Sequence, residues 1–343
     1  MSRRSLTLLI AAVGTAVAIA VSVLVPVPYV ILGPGPTLNT LGNDSSGHPL
    51  ITISGHSSYP TSGHLNMVTV SSTGPGARIN IFQALAAWLD PNEAVEPEQE
   101  VYPPGQTAQQ SQQQELQEMT GSQQTAIAAA LTELHIPWST EVVVVQVEKG
   151  FPAEGVLKAG DVITAIDGRP VTSQTSLARL IYAHPAGSTL TVSISRNGQP
   201  MQVQVGTKES GGHPVMGVEV AGQYKFPFQV TISIGDIGGP SAGMMFALGI
   251  TDKLTKLNLT GGKFIAGTGE ITASGQVQPI GGIQQKMVGA RNAGATIFLT
   301  PASNCADTKG AVPAGLRLVK VSTLTQAVTY LKDLKSGQPV PSC

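Results

Sequence analysis

Leu6 to Val25 is an unbroken, predominantly apolar run, set in a longer stretch from Ser5 to Asn43 that carries no charged residue. A helix needs about 20 such residues to cross a bilayer, so the run predicts one membrane span rather than a piece of a globular core. Arg3 and Arg4 lie just before it, and the positive-inside rule then keeps the short N-terminus in the cytoplasm. Residues 1–31 are accordingly read as a cytoplasmic tip and a single-pass transmembrane anchor, with everything that follows extracytoplasmic. A cleaved signal peptide is the alternative. Its apolar core is usually only about 7 to 15 residues long, and Ala16-Val17-Ala18, which could mimic a cleavage site, falls inside the run rather than after it.

Export bears on the two cysteines, Cys305 and Cys343, because an even pair outside the membrane suggests one disulfide. A net charge of -1 and a pI near 6.6 give no electrostatic footprint for nucleic acid, which is excluded as a partner. The 343 residues, with 39 glycines and 24 prolines, leave room for about two compact domains joined by loops.

Two segments carry chemistry. Gly239-Pro240-Ser241-Ala242-Gly243 surrounds a serine with turn-forming residues, and the apolar Met244 to Ile250 supplies a helix behind it. The helix start favours negative charge developing near Ser241. Pro279-Ile280-Gly281-Gly282-Ile283-Gln284-Gln285-Lys286 adds a lysine. A neutral lysine amine can take the serine proton if burial lowers its pKa by about 3, a preference of about 4 kcal/mol for the neutral form. Ile280, Ile283, Met287 and Val288 are the apolar neighbours expected to desolvate it. The six histidines are scattered, with no HExxH and no metal-ligand cluster, so no metal or other cofactor is implied. No G-x-x-x-x-G-K-[ST] phosphate loop occurs, and Gly261-Gly262-Lys263-Phe264 lacks its spacing, so the chemistry reads as ATP-independent.

In order along the chain, the Gly-Pro-Ser-Ala-Gly segment, Thr268-Gly269-Glu270 and Pro-Ile-Gly-Gly followed by a lysine resemble the proteolytic domain of Lon-type peptidases (family S16). The resemblance implies Ser241 as nucleophile, Lys286 as general base and Thr268 as a supporting hydroxyl that helps hold the lysine. These peptidases often have an aspartate three residues before the serine. Gly238 stands there instead, and Asp236 cannot be equated with it.

Residues 141–207 resemble a PDZ domain, a small β-barrel or sandwich with two helices. Val142 to Val147 reads as a strand, Gly150 to Gly155 as a turn and short helix, Leu157 to Gly168 as a second strand entering a turn, and Ser176 to Tyr182 as the helix flanking a peptide groove. Gly160-Asp161 and Asp167-Gly168 are the strongest matches, but no Gly-Leu-Gly-Phe-like carboxylate loop lies upstream of Val142. The fold class is therefore α+β. After the anchor come a strand and helix region with a Gln-rich linker at 32–140, the PDZ domain at 141–207, a Lon-like proteolytic domain at 215–334 and a tail at 335–343. Ile79 to Leu89 reads as a short amphipathic helix, Pro91 to Gln114 as an exposed connection, and Thr107 to Leu134, rich in glutamine and alanine, as a polar helix becoming apolar near Ala126-Ile127-Ala128. The strand at 65–70 is expected to share the proteolytic sheet, which makes the PDZ domain an insertion.

Together these features point to a membrane-anchored, extracytoplasmic serine endopeptidase acting on protein or peptide substrates through a Ser-Lys dyad. The PDZ domain would serve recognition or regulation. The alternative is a noncatalytic membrane-tethered PDZ scaffold or pseudoprotease. The sequence leaves the physiological substrate open, and with it assembly into a homo-oligomer.

Overall fold

The computed structural model of the protein describes residues 3–44 and 46–343; Met1 and Ser2 of the expected cytoplasmic tip, and Ser45, lie outside the described residues. Two compact units are present, one formed by Met1–Ile136 with Phe228–Cys343, the other by Pro137–Pro227.

The first unit begins with α1 (Arg3–Leu24), helical through the apolar run, with no buried side chain and the length and composition of a membrane span. At 1.5 Å per residue, 22 residues extend about 33 Å, close to a bilayer's hydrocarbon thickness. Then follow β1 (Tyr29–Asn39), β2 (Ile51–Ser54), β3 (His64–Ser72), α2 (Ile81–Leu89), β4 (Ala94–Pro97), the one-turn α3 (Glu98–Val101) and α4 (Ala108–Glu133). Gly33-Pro34-Gly35-Pro36 sits within β1, where the register against β3 shifts between Pro34 and Thr37. A bulge tolerates prolines that a regular ladder would reject.

The stretch expected to be an exposed connection is built into the unit. β4 pairs with β1 at the sheet edge, and buried Tyr102 shares a 2.8 Å hydrogen bond with the Ser72 hydroxyl. The Gln-rich segment is likewise no linker. Thr107 and Gln110 form a reciprocal capping box that starts α4, and Ala126 to Leu131 are buried along its second half. Glutamine and alanine are both good helix formers, so the polar first half continues the helix to which the apolar second half is anchored.

The second unit contains β5 (Ser139–Val147), β6 (Val162–Ile166), β7 (Arg169–Pro170), α5 (Gln174–Tyr182), β8 (Thr189–Arg196), β9 (Gln199–Gly206), β10 (Lys208–Ser210), β11 (His213–Val215) and β12 (Val218–Lys225). The main sheet runs β12-β5-β6-β8-β9 around a core that includes Val142, Ile163, Leu177, Val192 and Ile194. Two expectations are corrected here. Residues 150–157 make successive turns rather than a helix, leaving α5 as this unit's helix among the described residues. Residues 215–227 belong with this unit and not with the proteolytic one, because β12 pairs with β5 along its whole length. Asp161 is a structural residue: its buried carboxylate takes the Arg196 guanidinium at 2.7 Å, which holds its pKa below the usual range.

Returning to the first unit, β13 (Gln229–Ile232) pairs with β2 and leads to α6 (Gly243–Lys253). Next come β14 (Phe264–Gly267), β15 (Glu270–Ile271), β16 (Val277–Gln278), α7 (Ile283–Asn292), β17 (Ile297–Pro301), β18 (Arg317–Val321) and α8 (Leu324–Lys335). The principal sheet runs β18-β17-β14-β3-β1-β4, so β3, from before the second unit, pairs in parallel with β14, from after it. Val68, Ala266, Phe298 and Leu318 pack with Ile283, Met287 and Ala290 of α7 into one core.

Cys305 and Cys343 are joined as a disulfide across 38 positions, and Lys320 N–H donates to Pro341 O, so the C-terminal tail is fastened to the sheet. Closing a loop of that size is worth about 4 kcal/mol in the chain-entropy account. The Cys305→Ser/Cys343→Ser pair is expected to lower the urea midpoint accordingly. Reductant should lower it in the native chain and leave the variant unchanged.

Candidate functional site

Ser241 lies two residues ahead of α6, a helix buried from Gly243 to Asp252. The turn that holds it is tied on both sides. Its own carbonyl accepts hydrogen bonds from Gly269 N–H at 2.8 Å and from the Thr268 hydroxyl at 2.9 Å. On the other side, Ser122 of α4 donates to Pro240 O at 2.8 Å, and Gly239 N–H donates to Glu115 O at 2.9 Å.

The Thr268 hydroxyl therefore holds the Ser241 turn, whereas the sequence resemblance implied a contact with the lysine. Thr268→Val should cost about tenfold in kcat, the worth of one net hydrogen bond, because Gly269 N–H still holds the same carbonyl. A residue that held the lysine would move the pH profile. Here that profile should stay in place while kcat falls.

Lys286 occupies the first turn of α7, with its N–H on Gly282 O at 3.0 Å and only 4% of its surface exposed. Burial pushes its ammonium down to about 8, against the opposing pull of the Glu270 carboxylate. The desolvating neighbours differ in part from those expected. Ile283 and Met287 point into the core with Phe298 and Leu318, while Met67, Val68 and Val70 of β3 and Met119 of α4 line the cleft with the lysine. The helical face of α7 could be read from sequence, but not which distant strand would cover it.

Ser241 and Lys286 line one cleft of about 670 Å³, together with Gly281, Gly282 and the acidic side chains Glu115, Glu118 and Asp236. Glu270 lies near them, its carboxyl raised by burial and by Glu118, with Lys286 opposing. The two α4 glutamates were missed in the sequence. Their separation of three residues on a capped helix was the available signal. Gly238 explains why no carboxylate stands three residues before the serine: a Cβ there would lie 2.5 Å from that of Glu115. In that space α4 comes in, bringing its own carboxylates to the cleft.

Residues 232–332 match the Lon protease (S16) C-terminal proteolytic domain, and they contain the Ser241 turn, Thr268 and α7. The chain carries a Lon-type proteolytic domain. Residues 111–207 match the PDZ domain family, a span that begins inside α4 and stops short of β12. The Lon-type domain resembles the Lon protease of Heliobacterium modesticaldum, 40% identical over 94 residues, 26% of this chain and 11% of that protein. Lon protease 1 of Bacillus subtilis is 31% identical over 120 residues, 34% of this chain and 15% of the relative. The chain thus spans a small fraction of the length of these curated relatives. Among solved structures, the PDZ domain of an SdrC-like protein from Listeria monocytogenes aligns at 28% identity over 23% of this chain and 85% of that one, with a TM-score of 0.22.

The PDZ unit has a groove of about 230 Å³ between α5 and β12, lined by Leu177, Ile181, Met216, Gly217 and Val218 among others. β12 is the edge strand of its sheet. Met216 and Gly217 link β11 to β12 at this groove, so the strand that borders it comes last in the domain rather than first. Gly217 has φ of +81°, and a Cβ there would lie 2.0 Å from the Cβ of Phe151, leaving no room for a side chain.

Proposed function

We propose that the protein is a membrane-anchored serine endopeptidase in which Ser241 attacks a peptide carbonyl and Lys286 accepts its proton. The observation that carries this reading is Lys286 buried in the cleft that Ser241 also lines, with its pKa lowered to about 8 by that burial. A lysine so placed has an appreciable neutral fraction near pH 7 and can serve as a general base without histidine. Developing oxyanion charge meets the amino end of α6, where the Ser241 and Ala242 N–H groups carry no backbone hydrogen bond among the described residues. Lys286 then returns its proton to the leaving amine, and water hydrolyses the acyl-enzyme.

The α1 segment and its Arg3-Arg4 flank support an extracytoplasmic cleft in this reading, by the positive-inside rule. These 343 residues contain no phosphate loop, in keeping with ATP-independent turnover. The PDZ groove supplies a β-edge and an apolar trough for an extended peptide end, the way such domains add a strand.

A serine-reactive acylating probe tests the reading. Labelling should occur in the native chain and vanish in both Ser241→Ala and Lys286→Ala; labelling that survives Ser241→Ala in pure protein would refute it, and so would an unreactive native chain. Delivery by the PDZ unit makes a separate expectation. Replacing residues 137–227 with a flexible linker should raise KM for a protein substrate about tenfold, which is about 1.4 kcal/mol of binding, with probe labelling retained.

A further inference from the structure

Helix α2 is inverted for a helix on a water-facing surface. It buries only alanines, Ala84 and Ala87, and turns Phe82, Leu85, Trp88 and Leu89 outward, with Trp88 71% and Leu89 74% exposed. A surface helix of a soluble domain does the reverse, hiding its large apolar side chains and showing polar ones. Spacings of three and four residues put Phe82, Leu85 and Leu89 on one stripe, with Trp88 beside it. No residue of α2 is charged, and a capping box between Asn80 and Gln83 fixes its start, so the helix does not depend on that stripe being covered by the rest of the unit.

Its location says what covers it. Three residues beyond the end of α1, Val27 N–H donates to Ile79 O at 2.9 Å, just ahead of the α2 cap, and the two helices touch. The apolar stripe therefore begins where α1 leaves the bilayer. A helix with one large apolar side at that depth meets headgroups and upper acyl chains, and tryptophan is the residue favoured at this boundary.

We propose that α2 lies in the membrane interface, with Phe82, Leu85, Trp88 and Leu89 in the lipid, and docks the proteolytic unit flat on the bilayer surface. This rests on α1 being a retained membrane span. The docking gives the unit a second attachment besides the end of α1, so its height above the bilayer is set at two points.

The test uses the full chain reconstituted into phosphatidylcholine vesicles containing lipids spin-labelled either near the headgroup or near the bilayer centre. The chain has two tryptophans, so Trp138→Phe leaves Trp88 as the sole reporter. Trp88 emission should be blue-shifted and lose most of its intensity to the shallow label, with little loss to the deep one. Trp88→Phe, which keeps Trp138, should show no lipid-dependent quenching, and its difference from the native chain gives the same reading should Trp138→Phe fail to fold. Unquenched Trp88 in a chain that resists alkaline carbonate extraction overturns the docking while α1 remains a span; blue-shifted but unquenched emission does so in favour of a second copy of this chain on the stripe. Extraction of the chain by carbonate overturns the span, and the docking with it.

Discussion

Ser241→Ala and Lys286→Ala are each expected to lower peptide-bond hydrolysis by about 10⁴-fold or more, since residues that act as one nucleophile unit lose nearly everything when either is removed. The two losses should not multiply in the double variant. The pH dependence follows from the same geometry. Only the neutral amine can accept the serine proton, so kcat/KM should rise with pH through about 8, with about a tenth of Lys286 neutral at pH 7. Glu270 supplies a handle on the sign. Its carboxylate favours the charged lysine, so Glu270→Gln should move the rising limb to lower pH and increase the relative rate at pH 7. Full turnover by pure Ser241→Ala, or a limb that shifts upward in Glu270→Gln, would show that Lys286 is not the base.

Legibility in the sequence followed the range of the interaction. The Ser241 turn, the lysine and the apolar helix behind Ser241 were readable because each is a local pattern: small turn residues, then apolar periodicity. The capping box at Thr107 was equally local and the helix after it was legible, but its glutamines look solvent-facing whether or not the helix packs, so the polar first half was taken for part of a linker. Its role depends on Ser122 reaching Pro240 O and Glu115 reaching Gly239 N–H, contacts more than a hundred residues apart in sequence. The misplacement of β12 has the same origin. A strand of alternating character shows its pleat in sequence and not its partner, and β12 pairs back to β5 across the whole second unit. The membrane-facing stripe of α2 was visible only as amphipathicity. Which side faces inward was decided by two alanines packing closely against the unit, and sequence periodicity does not choose between a large and a small apolar face.

The burial of Lys286 also carries a stability cost that can be measured apart from activity. Lys286 titrates near 8 when folded and near 10.5 when unfolded. Below pH 8 both states hold the proton and the folded chain bears the whole penalty of a desolvated ammonium, about 3 kcal/mol at 1.36 per pH unit of displacement. Between 8 and 10.5 the unfolded chain still binds the proton that the folded chain has released, so stability rises with pH; above 10.5 the penalty is gone. Lys286→Met fills the same space without a charge. It should therefore abolish probe labelling yet stabilise the proteolytic unit by about 3 kcal/mol at pH 7, with the gain falling away through pH 8 to 10.5. Urea unfolding followed by circular dichroism across that range reads both the size and the window. A variant no more stable than the native chain at pH 7 would mean that the ammonium is well solvated in the folded state, and the case for Lys286 as a neutral base would fall with it.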